Sequence, residues 1–93
     1  MIFNDTPRPV HFLRLKASSH LMSDLPGQEG TAELDAFASR IGLRAEWRQN
    51  SGGPTEHYDL FDGAIFRAIL AGSVEVTGRE LVERCVRPKR AAP

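Results

Sequence analysis

Ninety-three residues make one small domain with chain enough for a single modest core. Twelve basic and twelve acidic side chains cancel, so no global field draws the chain to nucleic acid or to a membrane surface. The single cysteine excludes an internal disulfide and a cysteine-rich zinc site, and no window approaches the ~20 apolar residues of a membrane span.

Residues 1–9 carry two prolines and little pattern, which predicts an irregular N-terminal arm without the features of a signal peptide. A cytoplasmic location is the matching expectation. Val10 to Leu15 is mostly apolar and short enough for a first strand. Ser18 to Gly30 runs through Ser, Asp, Pro and Gly and predicts a loop, with a helical turn at His20-Leu21-Met22. Leu34, Phe37, Ala38 and Ile41 then fall at i, i+3, i+4 and i+7, the stripe of an amphipathic helix that Gly30 or Thr31 starts and Gly42 ends.

Leu43 to Gln49 alternates Leu43, Ala45 and Trp47 against Arg44, Glu46 and Arg48, the period of a strand with Trp47 facing the core. Residues 50–55 are a glycine-containing turn. A second helix is expected from about Leu60, capped by Asp59, with Phe61, Ile65, Ala68 and Ile69 as its buried stripe and Gly72 as its end. Val74-Glu75-Val76 is a short strand. Thr77-Gly78-Arg79-Glu80 has the S/T-x-x-E form of a capping box and starts a third helix through Leu81, Val82 and Cys85, which Pro88 stops. Cys85 lies in the apolar pattern and is a core residue rather than a nucleophile.

The expected architecture is a single α/β domain over residues 10–87, with three short strands alternating with three helices around a parallel or mixed sheet. Residues 88–93 would be a flexible basic tail. In such sheets ligands gather beyond the carboxyl ends of strands, here the loops after residues 15 and 48. That placement singles out His20 and Asp24 together with Arg48, Gln49, His57, Tyr58 and Asp59.

Ser19-His20-Leu21, Asp24, Glu33-Leu34, Phe37-Ala38, Ile41-Gly42-Leu43, Trp47, Gln49 and His57-Tyr58-Asp59-Leu60 recur in that order in a family of short bacterial and phage proteins, the domain of unknown function 4031. Arg67-Ala68, Ala71-Gly72 and Val74 to Thr77 extend the resemblance, which covers residues 10 to 83. Members often open with a strand ending in a pair of aspartates. Here the corresponding region is Phe12-Leu13-Arg14-Leu15, and loss of that acidic pair weakens the case for a metal-dependent activity. Ala17-Ser18 and Arg48 stand where the family usually has aromatics.

Several chemistries compete for these residues. His57 and Asp59, two apart in an extended segment, point to one side, and His20 and Asp24, four apart, share a helical face. Two imidazoles and two carboxylates suit Zn, Mn or Fe, and a cation-activated water could attack a phosphoester, with His57 as ligand or general base and Asp59 orienting it. The bland alternative makes Asp59 a cap and His57 a loop-fixing residue.

A small anionic ligand held by Arg48, His20 and Gln49 is the second functional reading. A protein partner meeting an arginine-rich face at Arg40, Arg44 and Arg48 is the third, since ten of the twelve basic residues are arginine. The absence of the acidic pair tips the expectation toward ligand or partner binding, with a small metal-dependent hydrolase as the alternative. No phosphate-binding glycine motif is present. The sequence assigns no cofactor, no metal and no oligomeric state.

Overall fold

The computed structural model describes residues 1–12 and 14–91. The chain opens on a strand, not an arm: β1 (Ile2–Asp5) is buried along its whole length. β2 (Arg8–Phe12) and the nine-residue β3 (Leu15–Ser23) follow, so the expected loop and helical turn around His20 are the longest strand of the fold. The strand expected over residues 10–15 is split between β2 and β3, and Leu13 lies outside the described residues. The next elements are α1 (Gly27–Arg40), a 3-10 turn (Ala45–Trp47), β4 (Tyr58–Phe61), α2 (Gly63–Leu70) and β5 (Val74–Val76).

Five strands, not three, form one mixed sheet. Leu21 of β3 pairs antiparallel with Asn4 of β1 and with Tyr58 of β4, and Ser18 pairs with Arg8 of β2 and with Phe61 of β4. β1 and β2 therefore run along one edge of β3, with β4 along the other. β5 adds to the far side of β1 in parallel, Phe3 opposite Val74.

Both faces of this sheet are covered, and that explains β1. Ile2 joins Leu21, Tyr58 and Leu60 in a cluster with Leu34, Phe37 and Ala38 of α1 and Ile65 and Ala68 of α2. Phe3, its neighbour, turns to the other face and packs with Met22, Leu81, Cys85 and Val86. A strand buried on both sides shows no apolar–polar alternation to find in a sequence. Its polar residues are satisfied internally. Asn4 accepts from Ser73 Oγ at 2.6 Å, and Ser19 Oγ donates to the Asp5 carbonyl at 2.6 Å.

The second face belongs to the C-terminal helix, which starts at α3 (Gly78–Leu81), passes through a π-helical stretch (Val82–Val86) and ends in α4 (Arg87–Ala91). Thr77 caps it in the expected reciprocal box with Glu80, and Cys85 is buried. Pro88 does not stop this helix. It lies directly after the π-helical stretch, and the chain stays helical through it to Ala91. The expected tail is thus helical to Ala91, and Ala92 and Pro93 lie outside the described residues.

Three further expectations are corrected. Leu43 to Gln49 is not a strand; only Gln49 bridges to His57, and Trp47, in the 3-10 turn, is 52% exposed instead of buried. Asp59 does not cap a helix but sits within β4, and α2 begins after Asp62, whose carboxylate accepts the N–H groups of Lys16 and Ala17 at 2.9 Å. Of the stripe assigned to that helix, Ile65 and Ala68 are buried while Phe61 and Ile69 are not. The helix ends at Gly42 and Gly72 are as expected, both glycines taking positive φ.

Candidate metal centre

Four strands and one loop deliver the polar side chains to one place. His20 of β3 lies directly opposite Asp59 of β4, so the two side chains share a face of the sheet. Gln49 and His57 exchange backbone hydrogen bonds of 2.8 and 3.1 Å, which extends that ladder by one rung and brings His57 beside Asp59. Asp5 closes the arrangement from the end of β1.

Each imidazole is oriented from behind. His57 Nδ1 donates to the Thr55 carbonyl at 2.7 Å; a carbonyl can only accept, so Nδ1 carries the ring hydrogen. His57 Nε2 faces Asp59 Oδ1 at 3.3 Å. His20 Nδ1 donates to Asp5 Oδ2 at 3.0 Å, and its Nε2 lies 3.8 Å from the same Asp59 oxygen. The two rings meet edge-on, centroids 5.1 Å apart. Gln49 Nε2 donates to Asp59 Oδ2, leaving Oδ1 to face the histidines. Donor atoms of His20, His57 and Asp59 all lie within 4.8 Å of one another.

The Asp5–His20 contact also sets charge. Burial works against the charged form of Asp5, but hydrogen bonds from His20 and Ser19 outweigh it and hold the carboxyl below its ordinary value. The same bond to Asp5 raises His20 above the usual imidazole value, against the opposing effects of burial and of Arg8. Arg8 Nη2 is 3.3 Å from His20 Nδ1. Because that nitrogen's hydrogen is committed to Asp5, Arg8 stands there as a positive neighbour, not as a donor.

Two cavities border these residues. One of about 400 Å³ is lined by Asp5, His20, Thr55 and His57 on the sheet side, by Leu81, Val82 and Val86 of the C-terminal helix, and by Arg8 and Arg90. The other, about 600 Å³, is largely apolar, with Leu43, Trp47, Phe61 and Ala64 around Gln49 and Asp59.

Of the residues singled out in the sequence, the fold brings together His20, Gln49, His57 and Asp59. Asp24 is elsewhere: it follows β3 and binds the amine of Met1 at 2.7 Å, so the expected His20–Asp24 pairing on one helical face does not form. Tyr58 points to the opposite face, its hydroxyl donating to Asp35 at 2.6 Å, and burial together with Asp35 pushes its pKa up to about 12. Arg48 is paired with Asp35 and lies 3.6 Å from Glu56, so it faces these internal carboxylates and not the histidines. Asp5, Arg8, Thr55 and Arg90 were not foreseen. An acid at a strand end, absent from Phe12–Leu15, is present at Asp5, the last residue of β1.

A small α/β domain with a mixed sheet and a polar cluster at the β3–β4 ladder is the class these features define. Residues 4–88 match a family described as Protein of unknown function (DUF4031), and the chain belongs to that family. The matched span begins within β1 and so includes Asp5. No curated protein and no solved structure shows a significant match to the chain.

Proposed function

We propose that this protein binds a divalent transition-metal ion through His20 Nε2, His57 Nε2 and Asp59 Oδ1, and that it hydrolyses phosphoesters at that ion. The observation that carries the reading is the convergence of three ligand atoms within 4.8 Å of one another. Both Nδ1 atoms are directed outward to Asp5 and Thr55, so both Nε2 atoms are turned toward Asp59 Oδ1. A divalent cation would displace any hydrogens on those nitrogens and bind all three atoms.

The outer partners have the form that metal sites use. A carboxylate behind one histidine, a backbone carbonyl behind the other and an amide on the free carboxylate oxygen fix the ligands before an ion arrives. Asp5 at the end of β1 supplies one strand-end acid beside the histidines, which supports the reading.

Two imidazoles and one carboxylate leave coordination positions for water and substrate. In the proposed reaction a bound water gives up a proton to solvent and its oxygen forms a bond to phosphorus. The bond to the ester oxygen breaks, and the leaving alkoxide takes up a proton. The 400 Å³ cavity, with two histidines on its wall, would admit the phosphate.

Metal analysis of the purified protein, with manganese and zinc titrations of wild type and of His57→Ala, tests the centre. One ion per chain that the variant fails to hold is the expected result. Hydrolysis of p-nitrophenyl phosphate that requires the ion tests the reaction. A wild-type protein that takes up no ion overturns the centre. A bound iron without any hydrolysis would move the assignment to oxygen chemistry, for which the same donor set is used.

A further inference from the structure

Of the ten arginines, Arg44, Arg48 and Arg79 have a carboxylate within ion-pair distance, and the other seven have none among the described residues. Arg8 and Arg90 are the two of those seven that line the cavity holding His20 and His57. They come from opposite ends of the chain, Arg8 from β2 and Arg90 from α4, and enclose the cavity from the sheet and from the helix. Arg8 Nη2 stands 3.3 Å from His20 Nδ1, a nitrogen that Asp5 Oδ2 also faces at 3.0 Å. A cation in that position is balanced by an anion in the cavity.

The charge count identifies the anion. Asp5 and Asp59 together carry two negative charges, which a divalent ion at the proposed centre cancels. Arg8 and Arg90 then leave two positive charges on the walls. A terminal phosphate at neutral pH carries close to two negative charges, whereas the bridging phosphate of a diester carries one. Guanidinium groups suit this partner, because their paired N–H donors match two phosphate oxygens.

We infer that Arg8 and Arg90 bind the terminal phosphate of the substrate, and that the substrate is a phosphomonoester. This rests on the proposed centre, whose ion offsets Asp5 and Asp59, and on the proposed phosphoester chemistry for the substrate class.

The test is therefore run in two arms. In the first, inorganic phosphate is titrated into the manganese-loaded protein by calorimetry, using wild type, Arg8→Gln, Arg90→Gln and the double variant. Both side chains are exposed, so the variants keep the fold, which circular dichroism verifies. Each single change should weaken phosphate binding about tenfold, and the double change should weaken it further while manganese stays bound. Phosphate binding that the manganese-loaded double variant retains at wild-type strength overturns the assignment.

In the second arm, the manganese-loaded protein is offered p-nitrophenyl phosphate and bis(p-nitrophenyl) phosphate. Wild type should prefer the monoester, and the double variant should lose that preference while binding manganese as before. Preference for the diester in wild type overturns the monoester assignment. If wild type fails to take up manganese, the metal centre falls, and the charge count that assigns the arginines falls with it.

Discussion

Asp5 holds His20 at two points, accepting its backbone N–H at 2.6 Å and its ring Nδ1–H at 3.0 Å. One carboxylate thus fixes both the strand and the ring, leaving a single direction for Nε2. Replacing Asp5 with Asn keeps the shape but removes the charge that makes the imidazole a strong donor. Asp5→Asn should lower manganese affinity ~10–100-fold, as losing an outer carboxylate does at metal sites. Calorimetric titration of folded variant and wild type measures it; equal affinities would show that Asp5 does not tune His20.

On the opposite face, Tyr58 reports on Asp35. It is the sole tyrosine, so phenolate absorbance belongs to it alone. Burial and the bond to Asp35 raise its pKa from 10.0 to about 12. The folded value lies above the unfolded one, so the protonated phenol's contribution to stability is complete below about pH 10 and is lost as pH rises toward 12. Alkaline titration should give a midpoint near 12, and Asp35→Asn should lower it. A wild-type midpoint at 10 would mean that the hydroxyl is not held as described.

Backbone crowding at Gly30 gives a stability prediction with an internal control. A Cβ on Gly30 would lie 2.0 Å from the Leu25 carbonyl oxygen, so α1 and the turn before it must separate. Gly30→Ala should destabilise by ~1–3 kcal/mol, despite the better helix propensity of alanine. At Gly78 an added Cβ meets nothing within 4 Å, and Gly78→Ala should be neutral or stabilising by up to ~1 kcal/mol. Urea unfolding of the two variants compares them directly.

The Cys85 thiol is fully buried, and that burial pushes its pKa up to about 11. It should resist Ellman's reagent at pH 8 in the native protein and react fully in denaturant. Rapid labelling of the native protein would place Cys85 outside the cluster of Phe3, Met22, Leu81 and Val86.

Local signals were legible in the sequence, and long-range ones were not. The stripe of α1, the positive-φ glycines and the Thr77–Glu80 box each depend on residues within a few positions, and each is present. β3 was missed because Ser18, Ser19 and His20 look like loop residues; all three are strand residues, and the polar groups of Ser19 and His20 are met by Asp5 and Asn4, fourteen or fifteen positions away. Trp47 shows the converse failure, since an alternating pattern over seven residues met no neighbouring strand. In the polar cluster, the period-two spacing of His57 and Asp59 was readable. His20 was named for a helical pairing with Asp24, whereas its partner is Asp5, reached only through the β1–β3 register.

The parallel pairing of Phe3 with Val74 has a consequence for how the chain is made. β1 leaves a ribosome well before its second neighbour, β5. Until Val74–Val76 arrives, β1 has one open edge and Phe3 lacks the cover of Leu81, Cys85 and Val86. Closing a loop of this span is slow compared with forming the β1–β3 pairing or the first helix. Asp5 therefore reaches its final rigidity only after β5 and the helix that follows it have been synthesised, and a nascent chain stopped before β5 would display an unpaired hydrophobic strand to its surroundings.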